Sequence, residues 1–190
     1  MPLASPRQRL LDAVVEHALV AGIGDQSLRA IAGAVGTSHR MLIHHFGSRE
    51  GLLVEVTRSV EARQRELLAE LMASSDDPLH AARRLWAGLV DPGLAPHERL
   101  FFELYGQALQ GRPSARTLLD GIIDAWTVPV AELLTRTGVG MQAALIDARL
   151  MVAVTRGLLL DLLATGDRPA VEAAMERFGE LYERAQATAP

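Results

Sequence analysis

Apolar residues recur three and four positions apart along almost the whole chain, and nowhere do β-branched residues alternate over the length of a strand. A helix brings residues i, i+3, i+4 and i+7 to one face, whereas a strand needs a period of two. Such a chain can bury its apolar half only as packed helices, so the expected fold class is all-α, with about nine helices. Of the 190 residues 49% are hydrophobic and 22% charged, which suffices for a packed core and excludes a disordered chain. That length suits a small domain joined to a larger one.

Capping residues and breakers set the expected boundaries. Ser5-Pro6-Arg7-Gln8 has the form of a capping box with proline at the first helical position, and Gly22-Ile23-Gly24 ends the helix behind it. Ser27 opens a short second helix that stops at Gly36. Thr37 or Ser38 caps a third carrying His39 to His45, and Ser48 caps a long fourth helix to about Met72. Asp77-Pro78 begins the next, to about Val90. Further helices follow over Pro96 to Gln110, over Pro113 to Arg136 with a kink near Pro129, and over Met141 to Thr165. Gly166 closes that one, and Asp167 opens a last helix to about Ala187.

Several function classes fall away. The richest apolar stretch, Gly157 to Ala164, is interrupted by Asp161 and is far shorter than the roughly 20 residues of a membrane span. The N-terminus lacks the charged and apolar regions of a secretory signal, so the cytoplasm is the expected location and no membrane partner is expected. Without cysteine there is no disulfide framework, thiolate zinc site or cysteine nucleophile. Neither a nucleophile elbow nor His-Glu-x-x-His occurs, and Gly22-x-Gly24 and Gly138-x-Gly140 are too short for phosphate loops and follow no strand. His39, His44 and His45 share no helical face and have no carboxylate among them. No enzyme, metal or cofactor is expected.

Charge separates along the chain. Residues 1–65 hold eight arginines and six acids, and the remainder eleven arginines and seventeen acids, so a net +2 segment precedes a net −6 one. All 19 basic residues are arginine, which fits the codon bias of a GC-rich genome. Between Ser27 and Arg49 there are three arginines, three histidines and no acid, a local patch suited to phosphate on an otherwise acidic chain. The same stretch reads as two helices of about eight residues joined at Val35-Gly36-Thr37, a helix-turn-helix. In its second helix Leu42 and Phe46, four apart, anchor an inner face, while Arg40 and His44, also four apart, share an outer one.

Residues 9 to 56 resemble the DNA-binding domain of the tetracycline-repressor (TetR) family of bacterial transcriptional regulators. The resemblance is carried by Gly22, by Ser27-Leu28-Arg29-Ala30-Ile31-Ala32, by Gly36-Thr37-Ser38, and above all by the run from Leu42 through His44-His45-Phe46-Gly47-Ser48 to Leu53. Three positions depart from the usual pattern: Ile43 replaces an aromatic, Arg49 a lysine and Thr37 a valine. The resemblance implies an N-terminal three-helix DNA-binding domain over 1–50, a linking helix to about residue 72, and a larger ligand-binding and dimerisation domain over 51–190. It further implies a homodimeric repressor that leaves a palindromic operator when a small apolar or aromatic effector binds. The alternative is a helical ligand-binding or scaffold protein without operator binding.

Carried onto this chain, the resemblance places Arg29, Arg40, Met41 and His44 at base edges, and Ser27, Ser38, His39, His45 and Arg49 at phosphates. Five of the eight aromatics lie between residues 86 and 126. Trp86, Phe101, Phe102, Tyr105 and Trp126, with Arg156, are the candidate effector contacts. Two apolar stripes on the helix from Met141 and one on the last helix call for a partner beyond their own domain. A two-fold bundle through Leu159, Leu162, Met175, Phe178 and Tyr182 is expected, with Gly157 permitting close approach.

Overall fold

The computed structural model describes residues 5–73 and 78–187. Among them every regular element is helical: α1 (Pro6–Ala21), α2 (Leu28–Ala34), α3 (His39–Phe46), α4 (Arg49–Ala73), α5 (Pro78–Leu89), α6 (Ala95–Leu109), α7 (Pro113–Arg116), α8 (Asp124–Thr135), α9 (Met141–Thr165) and α10 (Arg168–Ala187). Nine of these run for seven residues or more; α7 is a single turn followed by a 3-10 turn at Thr117–Leu119. No helix among the described residues is long and apolar enough to cross a membrane.

The helix ends follow local chemistry. Ser5 Oγ accepts the Gln8 N–H at 3.1 Å, and Asp167 Oδ1 accepts that of Ala170 at 3.1 Å, each taking up a donor that the first helical turn leaves open. Gly166, in the left-handed region at φ 71°, closes α9 with its N–H on the Leu162 carbonyl. The expected cap Asp77 lies outside the described residues. The helix expected from Pro113 to Arg136 is divided: α7 stops at Arg116, Gly121 takes φ 68°, and α8 begins at Asp124. Pro129 lies inside α8 without ending it. The left-handed glycine, not the proline, is the breaker here.

The chain forms two compact units, each drawn from two stretches. The first comprises the chain up to Glu66 together with Asp91–Ile122. Its fully buried side chains include Val14, Val15, Ile31, Leu42, Leu52 and Val56, and each is worth about 1.5–3 kcal/mol of burial. The second unit comprises Leu67–Val90 and the chain from Ile123 onward. There α8 and α9 pack as a helical hairpin through Ala131, Leu134, Ala144 and Ala148, with Val130, Val139, Met151 and Tyr182 around them. Tyr182 Oη donates to Asp147 Oδ2 at 3.2 Å and ties α10 to α9. Burial, then the Asp147 charge and hydrogen bond, push the phenol pKa up to about 12.

Candidate nucleic-acid interface

The two short helices of the first unit are built by serine caps and glycine turns. Ser27 Oγ accepts the Ala30 N–H and Ser38 Oγ the Met41 N–H, both at 3.2 Å. Between them Gly36 adopts φ 68°, and the Thr37 N–H returns to the Ala32 carbonyl at 2.9 Å, turning the chain sharply from α2 into α3. After α3, Gly47 at φ 75° and Ser48 reverse the chain into α4, where Ser48 Oγ accepts the Gly51 N–H at 2.9 Å. A Cβ on Gly51 would collide with the Phe46 carbonyl oxygen. Gly51→Ala is therefore expected to destabilise the protein by about 1–3 kcal/mol, through forced movement of the α3–α4 junction. Urea denaturation checks this, and an unchanged midpoint would mean the junction yields freely.

Anchoring fixes which side of α3 faces out. Leu42 and Phe46 are buried, while His39, Arg40, Met41, Ile43 and His44 are exposed and His45 is half-buried. Arg40 and His44 lie one turn apart on the outer face, with Met41 beside them at 41% exposure. On α2, Arg29 is exposed next to the Ser27 cap. Both cap hydroxyls already accept a backbone N–H but retain an O–H to donate to a phosphate. The rings of His44 and His45 meet edge to face at 4.9 Å. Among the described residues no group of three or more histidines, aspartates or glutamates is placed to hold a metal ion.

Arg49 serves the fold. Its Nε donates to the Gln26 carbonyl at 2.8 Å and its Nη2 to that of Gly24, so the guanidinium holds the α1–α2 loop from the start of α4. A second arginine escaped sequence reasoning. Arg7 lies 5.1 Å over the Phe46 ring, donates to the His45 carbonyl at 3.4 Å and pairs with Glu55 at 2.7 Å. It thus braces the end of α3 from α1. Only the run Arg7…Phe46…Glu55 in three dimensions reveals this, since 38 and 48 residues separate the partners.

The candidate effector contacts fall in both units. Phe101, Phe102 and Tyr105 belong to the first and are together: the Phe101 ring is 5.2 Å from Phe102 and 5.5 Å from Tyr105. Trp86, half-buried on α5, Trp126, buried on α8, and Arg156, half-buried on α9, belong to the second. Glu103 and Gln107 bond each other at 3.0 Å on the exposed side of α6. Sequence reasoning also missed five buried polar residues of the first unit: Thr57, Glu61, Gln64, His97 and Glu98. Gln64 Nε2 donates to Glu98 Oε1 at 2.9 Å. Thr57 Oγ1 and both His97 ring nitrogens have no partner, and each unmet buried group costs about 1–3 kcal/mol.

Of the expected dimer contacts, Leu159 is 5% exposed and packs within its own chain. It follows Ala148 by eleven residues, three turns, and so returns to the inward face of α9. Leu162, Met175, Phe178 and Tyr182 are half-buried. The outward stripe of α9 is instead Ile146, Leu150, Ala153, Gly157 and Leu160, with Ile146 at 67% and Leu150 and Leu160 at 51% exposure. On α10, Leu181 is 50% exposed.

Two capped short helices, a glycine turn, an inward-anchored second helix and a basic outer face define a helix-turn-helix, the arrangement whose second helix enters the major groove in proteins that read DNA. Residues 10–56 match the profile of the bacterial regulatory proteins of the tetR family, and the rest of the chain lies outside that match. Solved structures share the fold over nearly the whole length. A TetR transcriptional regulator from Legionella pneumophila is 16% identical, with TM-score 0.71 over 96% of this chain and 99% of that one. A transcriptional regulator from Rhodococcus is 20% identical, with TM-score 0.73 over 93% and 95%. The TetR-family repressor FadR of Thermus thermophilus, solved with lauroyl-CoA, is 22% identical, with TM-score 0.65 over 90% and 91%. No curated protein sequence matches the chain.

Proposed function

We propose that the chain is a homodimeric repressor that reads a palindromic operator through α3 and releases it when a small apolar or aromatic effector binds. The observation that carries the reading is the outer face of α3, where Arg40, Met41 and His44 are exposed while Leu42 and Phe46 pin the helix from behind. Arginine matches guanine O6 and N7, and Met41 can meet a thymine methyl. Ser27, Arg29, Ser38, His39 and His45 flank that face. Arg49 contributes by holding the α1–α2 loop, and would reach a phosphate only by leaving the Gly24 and Gln26 carbonyls.

The outward stripe of α9, with Leu181 on α10, supports the dimer, because isolated apolar side chains on a surface are ordinary but a stripe five residues long on one helix face is not. Ala153 and Gly157 within it allow the helices of two protomers to approach closely. Two reading heads related by a two-fold axis would meet half-sites roughly 34–36 Å apart or a multiple of that. An effector that favours the state with misplaced heads would lower operator affinity by the 5- to 150-fold typical of allosteric coupling, about 1–3 kcal/mol.

DNase footprinting on the DNA flanking the protein's own gene, at two salt concentrations, tests this. A protected palindrome that persists at the higher salt is the expected result. Salt-erased binding with no discrete footprint there would mean either a distant operator or a head without base reading. The same result on fragments selected from the whole genome would leave only the second, and would overturn the proposal.

A further inference from the structure

The interior of the first unit holds polar side chains that DNA reading does not use. Thr57, Glu61 and Gln64 stand at i, i+4 and i+7 on α4 and are all buried, as are His97 and Glu98 in the first turn of α6. The Gln64–Glu98 hydrogen bond joins the two helices inside the unit. His97 is only 2% exposed, yet neither ring nitrogen meets a partner. Buried polar atoms are nearly always bonded, so such a group needs an explanation. Burial pulls the His97 pKa down to about 4. The ring is therefore neutral near pH 7, with one N–H to donate and one lone pair to accept with. Phe101 follows His97 by one turn on the same face, and its ring meets those of Phe102 and Tyr105. A neutral donor–acceptor group thus sits beside an aromatic cluster on one helix.

We propose that His97 and the aromatic cluster of α6 receive a neutral, hydroxyl-bearing aromatic molecule, a substituted phenol, with its oxygen on a His97 ring nitrogen and its ring against Phe101. The inference rests on the effector-responsive reading above and names the chemical class of effector. The same interior disfavours carboxylates. Glu61 and Glu98 are buried there, whereas no arginine among the described residues of the unit is buried. A carboxylate ligand would add a third acid, with only the neutral His97 N–H and the Thr57 hydroxyl as unmet donors among the unit's described residues and no buried cation there to offset its charge. A hydroxyl can instead donate to the lone pair or accept from the N–H without carrying charge inside.

Calorimetric titration of the full-length, DNA-free protein with 4-propylphenol and 4-propylbenzoate tests the proposal at pH 7.5. The phenol is expected to bind and raise Tm, and the benzoate to bind about tenfold more weakly or not at all. His97→Leu is expected to lose about tenfold in phenol affinity, the loss of one hydrogen bond, without lowering the Tm of the unliganded protein. His97→Gln keeps a donor and an acceptor and is expected to stay within about threefold. Absence of phenol binding, equal binding of the two probes, or wild-type affinity in His97→Leu would each overturn the proposal, and a bound water at His97 would then be its occupant. Footprinting of the wild-type protein without probe separates the two readings. A footprint absent from the flanking DNA and from genome-selected fragments alike strikes the regulator reading, while an intact footprint without phenol binding strikes this inference alone.

Discussion

Replacing Arg40 and His44 together with alanine is expected to weaken operator binding by more than about 100-fold while leaving the unfolding midpoint within about 0.5 kcal/mol of wild type. Both side chains are exposed on the outer face of α3, and neither takes part in the packing of Leu42 and Phe46 that holds the helix in place. Their removal therefore subtracts contacts from the bound state and almost nothing from the folded one. A good bidentate arginine–guanine pair is worth about 1–3 kcal/mol, so Arg40 carries most of the effect and relaxes sequence preference at one base pair. Fluorescence anisotropy with a labelled operator at fixed salt, compared with a scrambled duplex, reads both affinity and specificity. Equal losses on operator and scrambled DNA would reassign Arg40 to a phosphate. No loss on either would take α3 out of the groove. Arg49→Ala makes the contrast: because its guanidinium holds the Gly24 and Gln26 carbonyls, its removal should appear in the unfolding midpoint as well as in affinity.

What the sequence made legible was decided locally. Ser5, Ser27, Ser38 and Ser48 each bond an N–H three residues ahead, and Gly22, Gly36, Gly47 and Gly166 each take the positive φ that ends or turns a helix. Such rules need only a few neighbouring residues, so α1 to α4 and the end of α9 fall where expected. What escaped depends on distant partners or on phase. Nothing near Arg49 in the chain tells whether it turns to a phosphate or to carbonyls 23 and 25 residues back. The helix α9 is apolar over most of its circumference, so periodicity cannot say which stripe is inward, and Leu159 turns out to share the face of the buried Ala148. Thr57, Glu61 and Gln64 have the spacing of a solvated face, yet all three are buried, and Gln64 bonds Glu98 of α6, 34 residues ahead. The break at Gly121 lost to Pro129 because proline is the stronger breaker on average, although here α8 keeps it within the helix.

His97 makes the stability of the protein depend on pH in a direction that can be worked out. The imidazole takes up a proton near pH 6.5 when the chain is unfolded and only near pH 4 when it is folded, because burial disfavours the charged ring. Between those values the unfolded state holds more protons, so stability rises with pH there. The contribution is fully present above about pH 6.5, is lost as pH falls toward 4, and changes no further below that. The gap between the two values corresponds to about 3 kcal/mol, a sizeable share of the 5–15 kcal/mol by which a typical domain is stable. Carboxylates titrate in the same range, so the comparison with His97→Leu isolates the histidine. Urea denaturation at fixed protein concentration, from pH 7.5 down to 4.5, should show the variant at least as stable as wild type at the upper end. The gap should then widen in the variant's favour by about 2–3 kcal/mol at the lower end. Parallel curves would mean that the ring reaches water in solution, and would remove both this pH dependence and the buried, unmet imidazole on which phenol recognition depends.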